Sequence, residues 1–161
     1  MVELLAALVT SYLVGSIPTG YLLVKHIKRI DIRRVGSGNV GATNVTRTAG
    51  AAAGVVVFCL DVAKGLIAVN LIAPWLAGPA SRTVRLGCGL MAVIGHSAPV
   101  FLRFRGGKGV ATTIGVLLGT MPGVTGICLA VWMACFAVWR YVSVGSLAAA
   151  LALPLTQVAM Q

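Results

Sequence analysis

Residues 36–47 read Gly36-Ser37-Gly38-Asn39-Val40-Gly41-Ala42-Thr43-Asn44-Val45-Thr46-Arg47, a polar island in an otherwise apolar chain. Glycines let successive backbone N–H groups converge on an anion, and a guanidinium completes such a cradle with paired hydrogen bonds. Gly36, Gly38 and Gly41 are therefore candidates for phosphate binding by the backbone. Ser37, Asn39, Asn44 and Arg47 are the catalytic candidates, because their side chains can donate to a phosphate or a developing oxyanion. On spacing alone an ordinary flexible loop is equally served; those four side chains shift the balance to phosphate chemistry. The same glycines fit the dinucleotide pattern GxGxxG, but the basic run Asp31-Ile32-Arg33-Arg34 precedes them where that fingerprint needs a strand.

A second cluster is Phe104-Arg105-Gly106-Gly107-Lys108-Gly109-Val110-Ala111-Thr112. It is not a Walker motif: Leu102 stands at the first glycine position, and Gly109 follows the lysine in place of Ser or Thr. A Gly-Gly-Lys-Gly turn opening an apolar helix still sets backbone donors and a cation at a helix N-terminus, which suits an anion. Gly106, Gly107, Lys108, Gly109 and Thr112 are the candidates there, against the simpler role of a basic membrane anchor.

Two further polar sites lie inside apolar runs. Asp61 and Lys64 are three apart and share a helix face. Charges within a membrane are paired or functional, so Asp61 is expected in a structural ion pair, and Lys64 either in that pair or against a ligand. His96, in Gly95-His96-Ser97-Ala98-Pro99, is a structural histidine or a phosphate contact. The acyltransferase pattern of His, four residues and Asp is excluded, since Phe101 occupies the Asp position.

These groups need a scaffold, and composition names it. Of 161 residues, 58% are hydrophobic and only 10% charged, with mean hydropathy +0.98. Soluble domains carry about 25% charged residues. Continuous apolar runs rather than alternating ones point away from a barrel. The expectation is an all-α, polytopic membrane helical bundle forming a single domain over 1–161. A crossing needs roughly 20 apolar residues. The spans read as 4–24, broken by Gly15, Pro18 and Gly20; 49–76; 86–102; 124–139; and 142–160. The run 109–121 reaches only about 20 Å and is a short sixth span or a re-entrant helix. No cleavable signal is expected, because Glu3 replaces a basic start and no A-x-A site follows.

The formal charge of +10 would suggest nucleic acid in a soluble protein. Here the basic residues sit in short loops, so topology and anionic ligands explain them and no nucleic acid is expected. With the 25–48, 103–108 and 140–141 loops cytoplasmic, that face holds six, three and one basic residues. Arg82 and Arg85 are left opposite. Both glycine-rich loops then share the cytoplasmic face, provided 109–121 crosses. Cys59, Cys88, Cys128 and Cys135 lie in apolar runs without CxxC spacing and read as small buried hydrophobes. The Trp and Tyr residues read as belt or packing groups. No metal or cofactor is expected.

Taken together, the segments resemble the bacterial acyl-phosphate:glycerol-3-phosphate acyltransferase family (PlsY-type). The matching pieces run in order: Gly15-Ser16-Ile17-Pro18, Asp31-Ile32-Arg33, residues 36–50, Asp61-Val62-Ala63-Lys64-Gly65, Gly95-His96, Pro99, Phe101, residues 104–112, Tyr141-Val142-Ser143 and Gly145-Ser146. The resemblance implies transfer of a fatty acyl group from acyl phosphate to the sn-1 hydroxyl of glycerol 3-phosphate. The products are lysophosphatidic acid and inorganic phosphate, the first step of phospholipid synthesis. It implies Ser37 and Arg47 as the critical residues of the first loop, and phosphate binding by Gly106–Gly109 with Lys108. It also implies a multi-pass protein of the bacterial inner membrane, in contact with membrane lipid and with the enzyme that makes acyl phosphate. Family members continue into a further helix and a segment with His, Asn, Arg and Glu. The 161 residues are expected to lack that third motif, which leaves activity of this chain to be tested. Two other readings stand beside this one: a small anion transporter, supported by Asp61 and Lys64 within a span and by the short run 109–121, and a non-catalytic relative that binds phosphorylated lipid precursors.

Overall fold

A break at Ile17-Pro18 divides the first apolar run into two helices. In the computed structural model, which describes residues 1–79 and 81–159, α1 spans Val2–Ser16 and α2 spans Thr19–Lys28. Proline has no N–H to donate, which makes it a natural point of interruption. The expected kink is thus a full break. The remaining helices are α3 (Ala42–Ala49), α4 (Ala51–Ile67), α5 (Ala73–Ala77), α6 (Arg82–Ser97), α7 (Val110–Thr120), α8 (Pro122–Trp139) and α9 (Val142–Ala159). Two short 3₁₀ turns, Ile32–Arg34 and Val100–Leu102, lie in the loops. No strand occurs among the described residues, so the all-α expectation holds.

Among the described residues, four helical segments have the length and apolarity to cross a membrane: Val2–Lys28, Ala51–Ala77, Arg82–Leu102 and Pro122–Trp139. Val110–Thr120 and Ser143–Ala159 are shorter apolar helices. The 25–48 segment, read from sequence as a polar loop, is partly helical. Its start continues α2, and Ala42–Ala49 forms α3.

The chain forms two compact units, Met1–Thr120 and Met121–Gln161. In the first, α1 packs on α6, α4 on α7 and α3 on α4. Lipid tails are as apolar as leucine, so helices in a bilayer associate through close packing of small residues. The crossings follow that rule. A Cβ at Gly15 would strike the Ala92 backbone, and one at Gly95 would strike the carbonyl of Tyr12. Gly65 and Gly115 play the same part between α4 and α7. The large side chains Leu5, Val9, Leu13, Val55, Val56 and Leu90 stay exposed, facing where lipid would lie.

Between α4 and α5 the backbone widens into a π-turn at Ala68–Ile72. Such turns disturb the carbonyl ladder, and in hydrocarbon those carbonyls need partners. Arg85 supplies them. Its Nε donates to Val69 O at 2.9 Å, and its guanidinium also donates to Gly119 O at 2.7 Å and to the Asn70 side chain. Tyr12, read from sequence as a belt or packing residue, donates its hydroxyl to Ala98 O at 2.9 Å and ties α1 to the end of α6. In the second unit α8 packs on α9. There Trp132 stacks on Phe136 with centroids 5.2 Å apart and lies against Gly145.

Two outcomes are expected. Gly95→Ala should cost about 1–3 kcal/mol, the usual size of overpacking, whereas Gly87→Ala, whose Cβ would meet only Leu8 at 3.5 Å, should be neutral; unfolding in detergent micelles checks both. Arg33 donates from Nε to both Asp31 carboxylate oxygens and from Nη2 to Oδ2, and holds the carboxyl down at about 2. A carboxylate with a lowered folded value contributes stability above its ordinary range and loses it as pH falls through the folded value. This contact should therefore persist through pH 4 and release near pH 2. A carboxyl NMR titration of Asp31 with an ordinary midpoint near 3.8 would contradict it.

Candidate active site

The first glycine loop is organised around one buried amide. Asn44, in the first turn of α3, is 1% exposed. Its Nδ2 donates to the carbonyls of Val35 at 3.0 Å and Asn39 at 2.9 Å, and at longer range to Ile32. Its Oδ1 accepts the Ser37 backbone N–H at 3.1 Å. Three carbonyls and one N–H are thereby drawn around a single side chain. Gly36 adopts φ +61, and a Cβ there would strike Asn44 Oδ1, so glycine is required on both counts. Asn39 Oδ1 accepts the Gly41 N–H at 2.8 Å at the cap of α3. The apolar residues Val24, Ile32, Val40, Val45, Val57 and Leu102 cluster beneath and join the loop to α2, α4 and the Val100–Leu102 turn.

The second glycine turn hangs from the end of α6. Gly107 N–H donates to His96 O at 3.0 Å, and Gly106 N–H donates to Ser97 O at 3.1 Å. The chain then reaches Gly109, at φ +77, and enters α7.

The two loops meet in one cleft of about 320 Å³. Ser37, Asn39, Gly41, Asn44 and Arg47 line it from the first loop and α3, and Lys108 and Gly109 from the second. Phe58, Asp61 and His96 complete it. Among the described residues, the Ser37 hydroxyl, the Arg47 guanidinium and the Lys108 ammonium have no protein partner. They are donors left over after folding, exposed on the cleft. Asn44 differs: its amide is consumed in holding the loop.

Other residues singled out from sequence sit apart from the cleft lining. Gly36 and Gly38 shape the first loop from behind, and the Gly106 and Gly107 donors are engaged by α6 carbonyls. Thr112 is fully buried, in the helix that packs on α4, with an unpartnered hydroxyl. Lys64 is 4% exposed, and all three of its donors are taken: Ile17 O at 2.6 Å, Asp61 Oδ1 at 2.7 Å and Thr19 Oγ1 at 3.2 Å. It thus caps the carbonyl freed where α1 breaks from α2. Thr19 in turn donates its hydroxyl to Asp61 Oδ1 at 2.7 Å.

Sequence reasoning missed Thr19 and the place of Asp61 on the cleft. The signal for Thr19 was present in principle: a carboxylate in a span demands donors beyond one lysine, and a threonine just after the Pro18 break is a natural supplier.

Comparison with known proteins follows the same lines. The family model described as glycerol-3-phosphate acyltransferase matches residues 5–161. The chain belongs to the glycerol-3-phosphate acyltransferase family. A glycerol-3-phosphate acyltransferase of Syntrophomonas wolfei is 47% identical over 96% of this chain and 77% of its own length. One from Gloeobacter violaceus is 53% identical over 90% and 71%. The fold is similar to crystal structures of PlsY (YgiH), an integral membrane glycerol 3-phosphate acyltransferase. Its glycerol 3-phosphate form gives TM-score 0.84 at 44% identity, covering 98% of this chain and 77% of that one. Its lysophosphatidic acid form gives 0.83 at 43%, covering 98% and 76%. The family resemblance read from the motifs is borne out, as is the helical membrane architecture.

The buried pair generates a prediction for this family member. Removing one partner of a buried ion pair typically costs about 3–5 kcal/mol, because the other charge is stranded. Lys64→Met should show that loss in unfolding measurements, and Asp61→Asn combined with Lys64→Met should recover part of it. Equal losses in the single and double variants would contradict the pairing.

Proposed function

We propose that this chain transfers a fatty acyl group from acyl phosphate to the sn-1 hydroxyl of glycerol 3-phosphate, releasing lysophosphatidic acid and inorganic phosphate. The observation that carries the reading is the single cleft where Ser37, Arg47 and Lys108, all without protein partners, converge from two glycine loops. Both substrates bear phosphate, so two cationic loops on one cleft match two anions. The family match runs through both compact units, 5–161, which supports treating them as one functional domain.

Chemistry follows from the groups present. The substrate hydroxyl oxygen attacks the acyl carbonyl carbon, and the carbonyl oxygen takes on negative charge. The Ser37 hydroxyl, Asn39 and neighbouring loop N–H groups stabilise that charge. Arg47 and Lys108, with Gly109 at the start of α7, hold the phosphates. The bond from the carbonyl carbon to the phosphate oxygen then breaks and phosphate leaves with the electron pair. The hydroxyl proton passes to a phosphate oxygen, so no protein base is required. Acyl phosphate is an activated donor, and orientation in a water-poor cleft supplies much of the remaining acceleration. Asn44 holds the loop in shape.

The clustering of basic residues in the glycine-loop segments supports a cytoplasmic cleft, with the protein in a bacterial inner membrane. Soluble glycerol 3-phosphate would enter from that side, and the acyl donor would come through contact with the enzyme that makes it. The anion-transport alternative drew on Asp61 and Lys64 within a span and on the short apolar run 109–121. All three Lys64 donors are committed to Ile17, Thr19 and Asp61, which disfavours that reading.

In proteoliposomes given glycerol 3-phosphate, palmitoyl phosphate should yield lysophosphatidic acid and palmitoyl-CoA should not. Ser37→Ala should lower kcat about 10²–10³-fold, the size of losing one oxyanion donor, and Arg47→Ala should fall at least as far, both without loss of thermal stability. Product from palmitoyl-CoA, or full activity in Ser37→Ala, would overturn the proposal.

A further inference from the structure

We propose that His96 is a positioning residue: it ties the second glycine turn to the Asp61 carboxylate of α4, and residue 107 is glycine to admit its imidazole. His96 ends α6 and is 7% exposed. Its Nδ1 lies 3.5 Å from Asp61 Oδ1, the oxygen that also receives Lys64 and Thr19. The opposite nitrogen, Nε2, packs on the second loop, where a Cβ at Gly107 would collide with it. The His96 carbonyl accepts the Gly107 N–H at 3.0 Å. One residue therefore grips the turn twice, by backbone and by ring, and the ring reaches back to a carboxylate that is itself immobilised by two donors.

The consequence lies one residue further on. Lys108 follows Gly107 directly and projects into the cleft with Gly109. Its backbone position depends on where Gly107 rests, and that is set by the imidazole against Asp61. Gly106 offers an internal contrast. A Cβ there would strike the His96 and Ser97 carbonyls and the Pro99 ring, none of which changes when the imidazole is removed. Positions 106 and 107 thus need glycine for different reasons, and only one of them answers to the His96 side chain.

The inference rests on the reading of Lys108 and Gly109 as an anion site. Its test uses the full chain in detergent micelles, with inorganic phosphate as the calorimetric probe and palmitoyl phosphate as substrate. His96→Ala is expected to weaken phosphate binding about tenfold and to raise KM for the acyl donor more than it lowers kcat, the mark of lost ground-state binding. His96→Asn, which keeps a donor near Asp61, should recover part of the loss. Gly107→Ala should weaken phosphate binding in the wild-type background and add nothing in His96→Ala, a strong non-additivity. Gly106→Ala should be equally harmful in both backgrounds. Additive effects at Gly107, unchanged phosphate binding in His96→Ala, or a wild type that takes up no phosphate would overturn the clamp. Phosphate binding with the predicted coupling but no acyl transfer would instead retain the clamp and refute the proposed reaction.

Discussion

The Asp61–Lys64 ion pair, 2.7 Å long and almost wholly buried in a membrane-spanning helix, is the contact on which the rest of the first unit depends. A charge pair in hydrocarbon is tolerated only when its remaining donors and acceptors are also satisfied. Here that demand is met by the break between α1 and α2. Lys64 caps the carbonyl of Ile17, and Thr19 donates to Asp61. Each side solves the other's problem. At the break the Ile17 carbonyl accepts the Thr19 N–H and gains the Lys64 ammonium as a second donor, and Asp61 gains the Thr19 hydroxyl. With His96 closing on Asp61 from α6, three helices are fixed at one point just beneath the cleft.

Around that point the bundle is assembled from small residues. Gly15 and Gly95, and Gly65 and Gly115, let backbones approach where no hydrophobic effect drives association. The result is a rigid frame with its bulky side chains turned outward. Both glycine loops are anchored to it, one through the Asn44 amide and the apolar cluster beneath, the other through the final carbonyls of α6. A serine hydroxyl and two cations remain unengaged on a shared cleft. Folding spends the Asn44 amide and the Gly106 and Gly107 N–H groups on structure, and this division separates groups that hold shape from those free to meet a substrate.

The sequence made the helical membrane class and the two glycine loops legible, because apolar runs and glycine-basic clusters are local signals. Ser37, Arg47 and Lys108 were legible for the same reason. The roles of Asn44, Gly107 and Thr19 were not. Asn44 looks like any donor until its four hydrogen bonds are known. The partner of Thr19 lies 42 positions away in the chain, and Gly107 is explained by a ring eleven residues earlier, at the end of another helix. The 25–48 segment read as loop because its polarity and the shortness of α3 mask a helix that buries Val45 in the apolar cluster.

The most direct test of the account is a crystal structure of this chain with glycerol 3-phosphate and inorganic phosphate supplied together. The account predicts two phosphate groups in the one cleft, one within hydrogen-bonding reach of Ser37 or Arg47 and the other at Lys108 and Gly109. The Asp61, Lys64 and His96 cluster beneath should be unmoved. A phosphate bound at Lys64 within the span, or anion density only outside the cleft, would contradict it.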